Sequence, residues 1–362
     1  MDDKKIIFFV GGGSGGHVMP AVALIESLKK DSRYNIKYVG SATGIERKIV
    51  TDLAIDYHII SVGKLRRYLS MQNILDGFKI IFGFFQSLKI LFPYSRQNCL
   101  VFSTGGFVSV PFVLAAYVTR KKIFIHEQTS RVGLANKIAS YFADKIFITF
   151  AKSQDFFPSQ KTFHLGMPLR DAYFLPTNFK FTLKGQSFSD MKRPMLFVSG
   201  GGNGSKLIND MIKNNLDWMC RDYLVVHQVG GQFISEFLKI DLANYIAVDF
   251  LKDEMIEFLK MASVIISRAG AVTVYQIMTL KKCAVFIPLK IAQKNEQFHN
   301  AKEAQKVTGS VILEEGQVES CDLKKIVAEV RQKNEASMAH GFTLNVRDNP
   351  KHALVAEIHS AF

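Results

Sequence analysis

Short apolar runs recur along the first half of the chain, each followed by a polar or glycine-rich turn and then a segment with helical spacing. They are Ile6–Val10, Ile36–Val39, His58–Val62, Cys99–Ser103, Ile123–His126 and Ile146–Thr149. Runs of this kind read as buried strands, and their alternation with helices predicts a parallel sheet covered on both faces. Residues Asp171 to Arg193 break the rhythm with Pro176 and mixed polar residues, which reads as a linker, with Gly166-Met167-Pro168-Leu169-Arg170 as its hinge. The pattern then restarts with Met195–Ser199, a helix from Lys206 to about Trp218, and strands at Tyr223–His227, Tyr245–Val248, Val264–Ser267 and Ala284–Pro288. A short helix through Ala353, Leu354 and Ile358 ends the chain. The expected fold is α/β: two doubly wound, Rossmann-like parallel-sheet domains facing each other across a cleft. Residues 1–165 form the first, 166–342 the linker and second, and 343–362 a terminal segment.

Ligands on such sheets bind beyond the C-terminal strand ends, so those ends carry the chemistry. The first is Gly11-Gly12-Gly13-Ser14-Gly15-Gly16-His17, followed by Val18, Ala21, Val22, Ile25 and Leu28 at helical spacing and by Pro20, expected in the first turn. Strand, glycine turn and helix start make an anion site, because bare backbone amides approach a phosphate closely. The plainer reading needs the glycines only for their dihedrals. Gly11-x-Gly13-x-x-Gly16 also matches the dinucleotide fingerprint, but the second strand ends Gly40-Ser41-Ala42-Thr43, without the ribose-binding acid. Ser103-Thr104-Gly105-Gly106-Phe107-Val108-Ser109 is a second such turn. His126-Glu127-Gln128-Thr129, with Arg131, Gly133 and Asn136-Lys137, is a third. Its His-Glu pair is either a structural hydrogen bond or part of a catalytic set. In the second half, Gly200-Gly201-Gly202-Asn203-Gly204-Ser205 repeats the first turn. Arg268 to Val274 opens a helix suited to a diphosphate, and Gln293, Asn295, Gln297 and Asn300 offer amides to sugar hydroxyls.

Composition narrows the partners. A chain of 362 residues, 48% hydrophobic and 22% charged, is globular and long enough for two cores, and its net charge of +14 points to an anionic partner. Four scattered cysteines show no metal-ligand spacing and read as reduced thiols of a cytoplasmic protein. No Asp-x-Asp, zinc cluster, G-x-S-x-G elbow or nucleic-acid motif occurs, and no apolar stretch reaches the ~18 residues of a membrane span. The first residues are too short to read as a secretory signal. One stretch stands apart. Lys64 to Arg96 holds Lys64, Arg66, Arg67, Lys79, Lys89 and Arg96 against Asp76 alone, around a stripe of Ile74, Phe78, Ile81, Phe82, Phe85 and Leu88 widened by Leu75, Ile80, Phe84, Ile90 and Leu91. It suits either a buried core helix or docking on an anionic membrane surface through Ile74, Leu75, Phe78, Lys79, Phe82 and Phe85.

These turns, in this order over nearly the whole chain, resemble those of the MurG family of GT-B glycosyltransferases. Gly12-Gly13-Ser14-Gly15-Gly16-His17 with Pro20 is similar to the family's first glycine loop. Gly105-Gly106-Phe107-Val108-Ser109 is similar to its second, with Phe107 where many members carry tyrosine. His126-Glu127-Gln128 with Asn136-Lys137 matches the third turn, Gly166, Pro168 and Arg170 the hinge, and Gly200-Gly201-x-x-Gly204 the donor-domain loop. Arg268-x-Gly270-Ala271-x-Thr273-Val274 and Gln297-x-x-Asn300-Ala301 match the two donor turns. The resemblance implies a GT-B fold whose final helix packs back on the N-terminal, acceptor- and membrane-binding domain. It implies a peripheral enzyme on the cytoplasmic face of the bacterial membrane. That enzyme transfers N-acetylglucosamine from UDP-GlcNAc, with inversion and without a metal or other cofactor, to the lipid-linked muramyl-pentapeptide (lipid I), giving lipid II. It implies other cell-wall synthesis and division proteins as partners, and no nucleic acid.

By the same resemblance the donor meets Ser14, Gly15, Gly16, Thr129, Arg170, Gly202, Leu251 (near the uracil), Arg268, Ala271, Val272, Thr273, Val274, Tyr275, Gln276 and Gln297. The acceptor and its diphosphate meet Gly12, Gly13, Gly105, Gly106, Phe107, His126 and Asn136. Three positions depart from the family. Gln276 stands for the ribose-binding glutamate, at a cost of about 1 kcal/mol. Gly202 replaces a serine and Thr129 an asparagine. His17 is the candidate base, since imidazole suits proton transfer near neutrality, with Glu127 as its rival and a phosphate or backbone contact as the plainer role. A UDP-GlcNAc 2-epimerase-like enzyme, or a membrane-recruited scaffold without turnover, are the other readings. Neither the epimerase's cleft nor its donor needs the Lys64–Arg96 face.

Overall fold

Every apolar run of the first half folds as a strand, and all pair in parallel. β1 (Lys5–Gly11), β2 (Tyr34–Gly40), β3 (Asp56–Ile59), β4 (Cys99–Gly105), β5 (Lys122–Glu127), β6 (Lys145–Ile148) and β7 (Thr162–His164) form one sheet in the order β3-β2-β1-β4-β5-β6-β7. The computed structural model describes residues 4–63, 71–178, 182–183, 186–189, 191–339 and 346–362. Alternation along β1 divides the core. Ile7 and Phe9 pack with Val18 and Leu24 of α1 (Gly15–Leu28), while Phe8 and Val10 pack with Phe112 of α4 (Ser109–Val118). Between them in the chain lie α2 (Ile45–Thr51) and α3 (Met71–Leu91), and after them α5 (Leu134–Ala139). Strand order reverses between β1 and β4, so the turns after these two strands flank the crevice where such sheets bind ligands.

The chain divides into two compact units, Met1–Arg170 with Arg347–Phe362, and Asp171–Val346. The hinge residues Gly166–Arg170 thus stay with the first unit. The stretch from Asp171 to Arg193 is not a free linker but part of the second. Its short hairpin of β8 (Thr182–Leu183) and β9 (Gln186–Ser187) is followed by Phe188, which is buried edge-on against Phe258 with ring centroids 5.1 Å apart. Strands two residues long leave no periodicity to read.

The second unit's sheet is built from β10 (Met195–Ser199), β11 (Leu224–Gln228), β12 (Tyr245–Val248), β13 (Val264–Ser267), β14 (Val285–Phe286) and β15 (Val311–Ile312). Its order, β12-β11-β10-β13-β14-β15, repeats that of β3-β2-β1-β4-β5-β6. Its helices are α6 (Lys206–Lys213), α7 (Leu216–Asp222), α8 (Ile234–Phe237), α9 (Glu254–Met261), α10 (Ala271–Thr279), α11 (Glu296–Thr308) and α12 (Leu323–Ala339). The helix expected from Lys206 to Trp218 is two, α6 and α7. Asn215 bonds Met211 O through Nδ2 (2.9 Å) and accepts from Trp218 Nε1 (2.8 Å), offering the chain a local alternative to continuing the helix.

The last helix, α13 (Pro350–His359), belongs to the first unit. Leu354 and Ile358 are buried in the α1 side of its core, and Lys145 pairs with Glu357 at 2.5 Å. Asn349 caps α13 by accepting from Lys351 N, and exchanges hydrogen bonds with the backbone of Leu169 (2.7 and 3.3 Å).

Candidate active site

The glycine turn after β1 is held from three sides, and each side needs a bare backbone. A Cβ on Gly12 would meet the Glu46 carboxylate at 2.6 Å. One on Gly106, at φ +82°, would meet Gly12 O at 2.1 Å, so the turns after β1 and β4 are in direct contact. Gly13, at φ +85°, lies against the Phe107 ring. Gly15 and Gly16 at the start of α1 have no such neighbour but the Ser14 hydroxyl, 3.5 Å from where a Gly16 Cβ would sit. That leaves space for an anion at this helix start. Pro20 sits inside α1 rather than in its first turn, because the helix begins at Gly15.

The second strand ends without a ribose-binding acid, as expected, but Glu46 just beyond it serves the loop itself. Sitting in the first turn of α2 and 0% exposed, it accepts from Gly13 N (3.1 Å), Ser41 N (3.0 Å) and Ser41 Oγ (2.6 Å). Its carboxylate is spent on the loop and is closed to a ribose, so the dinucleotide reading still fails. The sequence signal was an acid just past the strand end, on the following helix.

His17 is half-buried, and its Nδ1 lies 2.9 Å from Thr104 O and 3.0 Å from Gln128 Oε1. Both partners are acceptors, so Nδ1 is the donor, and in the neutral ring Nε2 holds the lone pair. The third turn is interior scaffolding. Glu127 is 1% exposed, and its oxygens accept from Thr129 N (2.9 Å), Thr129 Oγ1 (2.7 Å), Asn136 Nδ2 (3.1 Å) and Gly133 N (3.4 Å). A carboxylate so enclosed shapes its turn, and its oxygens, read as those of the rival base, are taken by protein donors. His126 and Asn136, read as acceptor contacts, are buried too. His126 Nε2 donates to Gly166 O (3.0 Å), and Asn136 Nδ2 also donates to His126 O (3.1 Å). Burial pushes the His126 imidazole down to about 4, so it is neutral. Arg170 forms a two-pronged pair with Glu26 of α1, Nε to Oε2 and Nη2 to Oε1, each at 3.0 Å.

In the second unit the loop from Gly200 to Ser205 has positive φ at Gly201 and Gly204, the latter pressed against Val229 O. A Cβ on Gly202 would lie 3.7 Å from the half-exposed Phe250 ring. Ser205 caps α6 and accepts from Arg268 Nη2 at 2.8 Å. Arg268 Nη1 also donates to Ile287 O (3.1 Å) and pairs with Glu315 at 2.7 Å, an acid that sequence reasoning missed. Ala271, Val272, Thr273, Val274, Tyr275 and Gln276 open α10. Val274 is fully buried, so its side chain is closed to a donor, and Gln276 is nearly so. The Leu251 amide already donates to Gln228 Oε1 (3.0 Å), a second missed residue, whose Nε2 reaches back to Gly201 O (3.1 Å). Gln297 Oε1 accepts from Leu289 N (3.0 Å), and the buried Asn300 donates to Ala269 O (3.2 Å). These two amides brace the donor turns. Among the described residues no group of three or more His, Cys, Asp or Glu side chains is arranged to hold a metal ion.

α3 is two-faced. Phe84, Leu88, Ile90 and Leu91 join the core, with Gly83 close against Ser61 O. Phe78, Ile81, Phe82 and Phe85 are 67%, 55%, 59% and 60% exposed on one i, i+3, i+4, i+7 stripe, beside the exposed Lys79 and Lys89. Leu88 therefore leaves the stripe to which the sequence assigned it. Lys64, Arg66 and Arg67 lie outside the described residues, as do the side chains of Ile74 and Leu75. No helix among the described residues is long and apolar enough to cross a membrane.

Two tandem Rossmann-like domains, each with a glycine turn after its first strand, define the class. Residues 7–148 match the glycosyltransferase family 28 N-terminal domain, and residues 195–352 the family 28 C-terminal domain. A UDP-N-acetylglucosamine–N-acetylmuramyl-(pentapeptide) pyrophosphoryl-undecaprenol N-acetylglucosamine transferase of Clostridium novyi (strain NT) is 38% identical over 88% of both chains. The crystal structure of Acinetobacter baumannii MurG aligns over 99% of both chains with a TM-score of 0.72 at 24% identity. A UDP-N-acetylglucosamine 2-epimerase structure shares the fold at a TM-score of 0.62 and 13% identity, over 97% of this chain and 95% of the other. The chain belongs to the MurG family of N-acetylglucosamine transferases.

Proposed function

We infer that this chain transfers N-acetylglucosamine from UDP-GlcNAc to the muramyl 4-hydroxyl of undecaprenyl-diphospho-MurNAc-pentapeptide, converting lipid I to lipid II in peptidoglycan synthesis. One observation carries the chemistry: His17 stands at the open glycine turn with Nδ1 held by two acceptors and Nε2 free to take a proton. The acceptor oxygen attacks the anomeric carbon from the face opposite UDP. Its proton passes to His17 Nε2, and the bond to the β-phosphate oxygen breaks with its electron pair leaving on UDP, which inverts the centre. Charge on the departing diphosphate is met by Arg268 and by the amides at the starts of α6 and α10. Pairing with Glu315 holds the Arg268 fork in place, and among the described residues Nε has no protein partner.

The exposed stripe of α3 supports a peripheral position on the anionic, cytoplasmic face of the cell membrane, where lipid I is met. Other cell-wall synthesis and division proteins are the partners this position proposes. UDP-GlcNAc is a co-substrate, and the proposed mechanism assigns no step to a metal. The deciding experiment incubates the protein with labelled UDP-GlcNAc and lipid I. Labelled lipid II with equimolar UDP is expected. Release of free sugar without lipid II would support the epimerase-like reading, and no turnover the scaffold.

A further inference from the structure

A chain of buried amide and imidazole groups runs from the hinge to His17. His126 Nε2 donates to Gly166 O at 3.0 Å, which leaves His126 Nδ1 as an acceptor. Gln128 Nε2 lies 3.1 Å from that Nδ1 and 2.9 Å from His126 O, so the amide nitrogen must face His126. Its Oε1 is then turned toward His17 Nδ1 at 3.0 Å. Each link dictates the next, because a donor facing a donor, or an acceptor facing an acceptor, would leave a buried polar atom unpaired. Gln128 and His126 are both buried, and neither reaches the surface where substrate binds.

We propose that Gln128, oriented by His126, is the positioning residue that fixes His17 as its Nδ1–H tautomer and aims Nε2 at the acceptor hydroxyl. The proposal rests on His17 being the base. A flipped Gln128 amide would present N–H to Nδ1 and favour the Nε2–H tautomer, which can take no proton where the substrate lies. Thr104 O, at 2.9 Å, favours the same tautomer, and Gln128 Oε1 shares the Nδ1–H with it, so the side chain reinforces a hold that the backbone begins.

The test uses full-length protein labelled with 15N-histidine, the His17 signals being assigned by their loss in His17→Gln. Wild type is expected to show His17 Nδ1 protonated and Nε2 not. The near-isosteric Gln128→Met, which offers no amide acceptor but leaves Thr104 O, is expected to raise the share of the Nε2–H tautomer and to lower kcat about tenfold to a hundredfold with KM for UDP-GlcNAc unchanged. Gln128→Glu, as the neutral acid that burial favours, keeps a C=O for His17 Nδ1–H and an O–H for the His126 acceptors, and is expected to recover most of the loss, a rescue that simple filling of the space would not give. A wild-type His17 in the Nε2–H tautomer, or a folded Gln128→Met with both tautomer and kcat unchanged, overturns the proposal. If Gln128→Met does not fold, the wild-type tautomer and the Gln128→Glu kinetics decide: kcat of Gln128→Glu within about tenfold of wild type supports the assignment, and a loss beyond a hundredfold at unchanged KM counts against it. A loss under tenfold in His17→Ala removes the base reading, while the tautomer measurement still judges the link between Gln128 and His17.

Discussion

Replacing Phe82 by aspartate isolates the membrane-docking face from the fold. Phe82 is 59% exposed, so about three-fifths of its burial free energy is still available to a lipid surface. Full burial of such a side chain is worth roughly 1.5–3 kcal/mol, leaving about 1–2 kcal/mol for docking. A carboxylate beside anionic headgroups adds about 1 kcal/mol of repulsion. The total of about 2–3 kcal/mol is a roughly 30- to 140-fold loss of partitioning, at a factor of ten per ~1.4 kcal/mol. The fold should hardly notice, because an exposed substitution shifts stability by about 0.5 kcal/mol or less. Flotation with vesicles rich in anionic lipid reads the difference, with thermal unfolding as the control. Phe85→Asp, one turn further along the same stripe, should behave alike. Wild-type flotation should also weaken with salt, since the exposed Lys79, Lys89 and Arg96 each add about 1 kcal/mol that ions screen. Undiminished flotation of both stable variants would refute the reasoning and leave the stripe without a role in lipid binding.

Three further outcomes are expected. His17→Ala should lower turnover about 10²- to 10⁴-fold in the lipid II assay while UDP affinity by calorimetry stays nearly constant; a loss under tenfold rules out the base. Gln276→Glu, if the resemblance rightly sets this side chain on the ribose, should tighten UDP binding about fivefold, corresponding to ~1 kcal/mol; weaker binding would show that the nearly buried position cannot hold a carboxylate. Burial pushes His126 to about 4 and His227 to about 3 from an ordinary 6.5, so both are neutral in the native state. Above pH 6.5 they add no pH dependence. Below it the unfolded chain binds protons that the native one refuses, so the urea midpoint should fall between pH 7 and 5, and fall less in His227→Gln; identical slopes for the two proteins would contradict the assignment.

Much of the site was legible because backbone requirements leave glycines in the sequence. The turns at Gly11–Gly16, Gly105–Gly106 and Gly200–Gly204 announce themselves, and a positive φ or a 2.1 Å approach explains why nothing larger fits at Gly106 and Gly204. The two-faced nature of α3 was only half legible. Apolar residues surround that helix, and which of them face outward depends on where α4 and Ser61 to Gly63 lie against it.

Polar side chains were the hardest to read, for a definite reason. Glu127, Asn136, His126, Gln128 and Asn300 have the chemistry of ligand contacts, Glu46 signals only an acid past a strand end, and Gln228 and Glu315 raise no signal at all. Yet every one of these groups forms hydrogen bonds within the protein. Whether a lone pair is spent or free depends on partners far along the chain: His17 Nδ1 meets atoms 87 and 111 residues away. The sequence by itself determined the punctuation of strand, glycine turn and helix, the repeated half and the family motifs, because local dihedrals and periodic burial are written in neighbouring residues. Only the tertiary structure decided which acids and amides serve the scaffold and which nitrogen of His17 remains free, because strand order brings those partners together and burial makes an unpaired polar group costly.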